Sequence, residues 1–240
     1  MFTGVLCALV LFALAASVLF HSLNNVRYLQ YQEERVSPIF RWVNEEPDVR
    51  LPFLESVIPA GAFFEALSRS GQRLSRLQQE RLSYGQTLIK HHESGLHAFA
   101  LADDETVLVA FFADLPLEST LWAAQLISLQ VRALPEEMRE VALVELADFF
   151  ELSPRLAPLT ELADWQGSKQ NEFSRQGWVV LPGNRDRSSV LAVAFDREQY
   201  IRFDELPAFD PWSWPIIMTL IVMGLVCLAG ALFLLLEKLE

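Results

Sequence analysis

The chain has 240 residues and is acidic, with 31 Asp and Glu against 19 Lys and Arg and a formal net charge of −12. That balance excludes nucleic acid as a partner, because phosphate backbones demand a basic surface, and excludes docking on anionic lipid through a polybasic patch. The two cysteines, Cys7 and Cys227, fall one in each terminal apolar run, so the residues between them hold no disulfide and no thiolate metal site.

The first expected element is VLCALVLFALAASVLF (Val5–Phe20), uncharged throughout and extendable to Phe2 and Leu23. Met1–Gly4 lacks the cationic start of a signal peptide, so the run reads as an uncleaved anchor. PIIMTLIVMGLVCLAGALFLLL (Pro215–Leu236) is its counterpart at the other end, and about 20 apolar residues suffice to cross a bilayer. The expected boundaries are a transmembrane helix at 1–23, exported repeats at 24–117 and 118–211, a second transmembrane helix at 212–236 and the start of an exit helix at 237–240. Both termini then share one side of the membrane, and the acidic middle lies on the other.

The middle segment contains a repeat. LPFLESVIPAGAFFEALS (Leu51–Ser68) resembles LPEEMREVALVELADFFELS (Leu134–Ser153), with Phe63-Phe64-Glu65 opposite Phe149-Phe150-Glu151. RLSRL (Arg73–Leu77) then matches RLAPL (Arg155–Leu159), and Glu80–Ile89 parallels Glu172–Leu181 with Gly85 opposite Gly177. Leu96–Pro116 parallels Ser189–Pro207. Each copy reads as two helices and a small antiparallel sheet. Helices are expected over Ser22–Asn44 and Ser119–Leu134, each followed by a second helix ending in the Phe-Phe-Glu segment. Strands are expected at Gln86–Lys90, Leu96–Ala102 and Thr106–Phe112, and at Trp178–Leu181, Val190–Phe195 and Gln199–Phe203, where apolar residues alternate. The class is α+β: two transmembrane helices flanking two tandem helix-helix-antiparallel-sheet repeats.

Candidate sites are few. His91, His92, Glu93 and His97 cluster in LIKHHESGLH, a stretch that aligns with the turn-rich PGNRDRSSV of the second copy. Three readings compete: a metal site with His91 facing His97, a pH sensor, since histidine titrates near neutrality, and the plain solvated tip of a hairpin. Glu137, Glu140, Asp148 and Glu151, with Glu136 and Glu145 beside them, would hold divalent cations or simply wet the outer face of an amphipathic helix whose apolar stripe is Met138, Val141, Leu143, Val144, Leu146, Phe149 and Phe150. Arg185-Asp186-Arg187 would clasp an anion or form a charged turn. Trp212 and Trp214, flanking a proline-led apolar run, fit the aromatic belt of a membrane interface. No G-x-S-x-G, Gly-rich phosphate loop or paired-carboxylate signature occurs, and no cofactor is implied.

FSRQGWVVLPGNRDRSSVLAVAFDREQYIRFDELPAFDPW (Phe173–Trp212) resembles the periplasmic region of RstB-type bacterial sensor histidine kinases, in which a Gly-Xaa-Val-Val-like strand leads through a hairpin to the second span. The matching part of the first repeat shares the pattern more loosely. The resemblance implies PAS-like sensor halves and a two-pass protein of the inner membrane, with residues 24–211 in the periplasm. It implies an input region that relays a stimulus by relative movement of its two spans through the lipid bilayer. It also implies a homodimer; the first helix, with Leu23, Val26, Tyr28, Leu29 and Val36, offers either the dimer seam or the two-sided apolarity of an internal core helix. The complete kinase would pass phosphate to a cytoplasmic response regulator. The chain departs from the family in its duplicated exported region and in ending before a HAMP linker, histidine box or ATP-binding module, so the part in hand is expected to be non-enzymatic. The alternatives are a stand-alone two-span scaffold or adaptor with a partner-binding domain, or the input region of a chemoreceptor or cyclic-nucleotide enzyme.

Overall fold

Helix α1 (Phe2–Glu45) is followed by α2 (Pro47–Glu55), β1 (Phe63–Ser68), a 3-10 turn at Arg69–Gly71, α3 (Arg76–Ser83) and strands β2 (Leu88–His92), β3 (Gly95–Leu101) and β4 (Thr106–Phe112). The second half runs α4 (Leu115–Ala133), α5 (Glu136–Phe149), β5 (Ser153–Pro158), a 3-10 turn at Leu159–Asp164, α6 (Gly167–Gln176), β6 (Trp178–Pro182), β7 (Ser189–Ala194) and β8 (Gln199–Asp204), and α7 (Trp214–Leu236) closes the chain. This computed structural model describes the chain except residues 1, 57, 59–62, 93–94, 114, 166, 183–188, 205, 207–208, 213 and 237–240, and the side chains of 2–11, 116, 163–164, 214–215 and 231–236. The chain forms two units, Met1–Tyr31 with Phe209–Glu240, and Gln32–Ala208.

In the first unit, Phe20 packs on Trp212 with ring centroids 4.7 Å apart, and Tyr28 meets Phe209 edge-on at 5.1 Å. The Arg27 guanidinium lies over the Phe209 ring at 5.5 Å. Among the described residues, no helix is long and apolar enough to cross a membrane. That finding overturns the expected two-pass architecture and the inner-membrane localisation. Helix α1 carries His21, Asn24, Asn25 and Arg27, and further on Glu33, Glu34 and Arg35, among its apolar residues.

In the second unit, two four-stranded antiparallel sheets have matching orders, β1-β4-β3-β2 and β5-β8-β7-β6. Their turns match as well. Asp103 Oδ1 accepts from the backbone N–H groups of Glu105 and Thr106 at 2.8 and 2.7 Å, and Asp196 Oδ1 accepts from Glu198 and Gln199, both at 2.8 Å. Arg69 N–H donates to the Glu105 carbonyl at 2.7 Å, as Leu159 N–H does to Glu198 at 2.8 Å. Gly85 and Gly177 end α3 and α6 at φ 74° and 76°, the left-handed step that glycine takes without a Cβ penalty.

The structure revises the sequence alignment. Phe63-Phe64-Glu65 starts strand β1, whereas Phe149-Phe150-Glu151 closes α5, so the two motifs occupy different elements. The true counterpart of β1 is β5, which follows that motif. Two short helices, α3 and α6, and the edge strands β1 and β5 add to the expected elements.

Both faces of each sheet are covered. On β3, Leu96, Ala98 and Ala100 share one face with Phe112, Ala110 and Leu108 of β4, while His97, Phe99 and Leu101 share the other with Phe111, Val109 and Val107. The second of these faces forms a core with Leu74, Leu82 and Leu88 under α3. The first meets α1 through Phe40 and Phe64, 5.2 Å apart, and α4 through Phe112 and Trp122, 4.5 Å apart. Helix α4 also reaches the second sheet, where Ser128 Oγ donates to the Ala194 carbonyl at 2.8 Å. The other face of that sheet packs Phe173, Val179, Ala192 and Tyr200 together.

Candidate functional site

The β2–β3 hairpin sets the histidine geometry. Its register pairs Lys90 with His97, His91 with Leu96 and His92 with Gly95. Side chains alternate across a sheet, so Lys90, His92 and His97 share one face and His91 lies on the other. The expected opposition of His91 and His97 does not occur. His92 and His97 approach instead, with ring centroids 5.4 Å apart. Glu93 lies outside the described residues.

His97 is half-buried in an aromatic nest. Phe111 meets it edge-on at 5.3 Å, Phe63 at 5.9 Å, and Phe99 stacks at 6.3 Å. Phe63 and Phe111 stack on one another at 5.5 Å. Lys90 lies beside this nest, its Nζ 5.9 Å above the Phe99 ring and donating to the Arg73 carbonyl at 2.9 Å. Burial first, then the charges of His92 and Lys90, holds the His97 imidazole below its ordinary pKa. The aromatic partners come from three strands, and of the neighbours of His97 only Lys90, His92 and Phe99 are close to it in the sequence.

Among the described residues, no group of three or more His, Cys, Asp or Glu side chains converges as a metal site. The acidic candidates are dispersed. Glu137, Glu140 and Asp148 are exposed along α5, while Glu151, at φ 55° beyond its end, is paired with Arg35 of α1. The apolar stripe of α5 also divides. Leu143, Ala147 and Phe150 are buried, whereas Met138, Val141 and Val144 face outward.

Two open cavities, absent from the sequence reading, flank the equivalent Asp-led turns. One, of about 520 Å³, lies between α5 and the β7–β8 turn, lined by residues including Glu136, Arg139, Asp196 and Arg197. The other, of about 580 Å³, lies between the Arg69 turn, Gln79 of α3 and the β3–β4 turn with Asp104 and Glu105. The aligned ADDET and FDREQ segments were their only signal. Arg185-Asp186-Arg187 lies outside the described residues, as does the Trp214 side chain. Trp212 is exposed against Phe20. Of the candidate dimer seam, Val36 is fully buried in the second unit and is unavailable to a partner. No known family, curated protein or solved structure matches the chain.

Proposed function

We propose that this chain is a non-catalytic sensory module whose first sheet responds to acidification through His97. The observation that carries the reading is the placement of a half-buried imidazole among Phe63, Phe99 and Phe111 with His92 and Lys90 beside it. A protonated ring there would lose hydration and face a cationic neighbour, so its protonation works against this packing. Among the described residues of the sheet, the titratable or charged groups on that face are His92 and Lys90 of β2 and, two register pairs beyond Phe63, Glu65 of β1. The signal-input role agrees with the resemblance of Phe173–Trp212 to sensor kinase input regions, and any phosphotransfer belongs to a partner or to further modules.

The test is a nuclear magnetic resonance titration of the histidine rings in the intact chain. The expected result is that His97 titrates below the ordinary value of about 6.5 and that the Phe63 and Phe111 ring signals shift in the same step. Titration of His97 at or above that value, or aromatic signals that stay fixed through it, would overturn the reading.

A further inference from the structure

We propose that the outward face of α5 is a docking surface for a basic amphipathic helix of a partner protein. The face is built in rows. Residues three apart on a helix lie side by side in inclined ridges, and one such ridge is Met138, Val141 and Val144. These side chains are 56%, 61% and 60% exposed. The row on one side carries Glu137 and Glu140, and the row on the other carries Glu145 and Asp148, all four exposed.

The ridge is not needed for folding. Helix α5 is already seated by Leu143 and Ala147 on its opposite side, with Phe150 just beyond. Valine at an exposed helical position gives up side-chain freedom and favours the helix less than Glu, Lys or Ala would. Two exposed valines and a methionine in one ridge, on a chain this acidic, therefore call for a partner surface.

Charge complementarity identifies the occupant. Arg139, the basic residue of α5, is turned to the inner side, where its Nε donates to the Leu134 carbonyl at 3.1 Å and its guanidinium lies 5.8 Å from the Phe195 ring. The apolar ridge is thus bordered by the carboxylates of Glu137, Glu145 and Asp148, and by Glu140, which shares a cavity lining with Arg139 and Arg197. A second copy would bring the same carboxylates against them across a two-fold axis, with −12 on each chain. Anionic lipid is repelled on the same ground. A helix with apolar residues at i, i+3 and i+4 and Lys or Arg on its flanks satisfies both the ridge and the rim.

The test uses the full chain and two synthetic helical peptides, one of Leu and Lys in that pattern and one with Glu in place of Lys. The Leu/Lys peptide should bind, protect α5 amides from hydrogen exchange, and weaken as salt rises. The triple change Met138→Ser, Val141→Ser, Val144→Ser should reduce its affinity at least about tenfold while thermal unfolding stays put. The pair Glu140→Lys, Glu145→Lys should shift preference toward the Leu/Glu peptide. No binding of the Leu/Lys peptide, binding untouched by the triple change, or protection mapped away from α5 would overturn the proposal. So would self-association of the free chain, or capture by anionic vesicles, that the triple change abolishes.

Discussion

Gly95 sits at φ 153° where the chain enters β3, and a Cβ there would lie 2.5 Å from the Phe112 carbonyl oxygen and 2.8 Å from the Phe111 ring. Backbone on one side and a packed ring on the other leave no room to yield. Gly95→Ala is therefore expected to destabilise the protein by about 1–3 kcal/mol, read by denaturant unfolding. A change indistinguishable from zero would show that the hairpin can shift at no cost. His97 gives the second prediction at this scale. Its pKa is lowered in the fold, so the unfolded chain binds the proton more readily. Stability should be full above the unfolded value of about 6.5 and fall as pH drops from there to the folded-state pKa, then level off for this group. Melting temperature followed across that window checks the sign, and His97→Phe should flatten its share of the slope. The sequence made the hairpin and its turn legible, and the period of two separates His91 from His92. Which of them joins His97 depends on the pairing register of β2 and β3, which HHESG does not encode. Phe63 joins from an edge strand whose partner β4 lies far along the chain, a long-range pairing with no local signature.

Among the elements, α3 shows why short helices escape a periodicity search. Its eight residues, RLQQERLS, carry two leucines, of which Leu82 is buried and Leu77 is exposed. Its marker is at the N-terminus instead, where Ser75 Oγ accepts from Gln78 N–H at 3.3 Å and the Gln78 side chain accepts from Ser75 N–H at 2.9 Å. This reciprocal cap satisfies donors that the first turn leaves unpaired. Ser75→Ala should cost about 1 kcal/mol and raise amide exchange first in α3, above the core of Leu74, Leu82 and Leu88; unchanged exchange there would mean the helix is held by packing alone. The opposite error befell FFEALS. Its Glu, Ala and Leu suit a helix, yet six register pairs with β4 make it a strand, from Phe63 opposite Phe111 to Ser68 opposite Thr106. Tertiary pairing overrides local preference of this size. The outer ridge of α5 was misjudged for a related reason: a mostly apolar helix shows its period, but which part of the apolar arc meets the core depends on where α4 and β5 lie.

At the scale of the second unit, α4 decides whether two similar halves behave as one. Trp122 is fully buried and packs on Phe112 of the first sheet, while Ser128, further along the same helix, hydrogen-bonds Ala194 of the second. A helix shared in this way cannot leave one sheet without exposing the other. The same helix buries Ser119 Oγ, Trp122 Nε1 and Gln125 Oε1 with no hydrogen-bond partner among the described residues. Each such group costs about 1–3 kcal/mol relative to a satisfied one, so apolar packing around Trp122 must hold α4 in place. Trp122→Ala is accordingly expected to cost about 3–5 kcal/mol and to lower the opening free energy of β3–β4 and β7–β8 together in native-state hydrogen exchange. Loss of protection confined to the first sheet would show that each half is its own cooperative unit. The distinction bears directly on sensing, because a proton taken up at His97 can reach α5 and its outward ridge only if the two sheets share one equilibrium through α4.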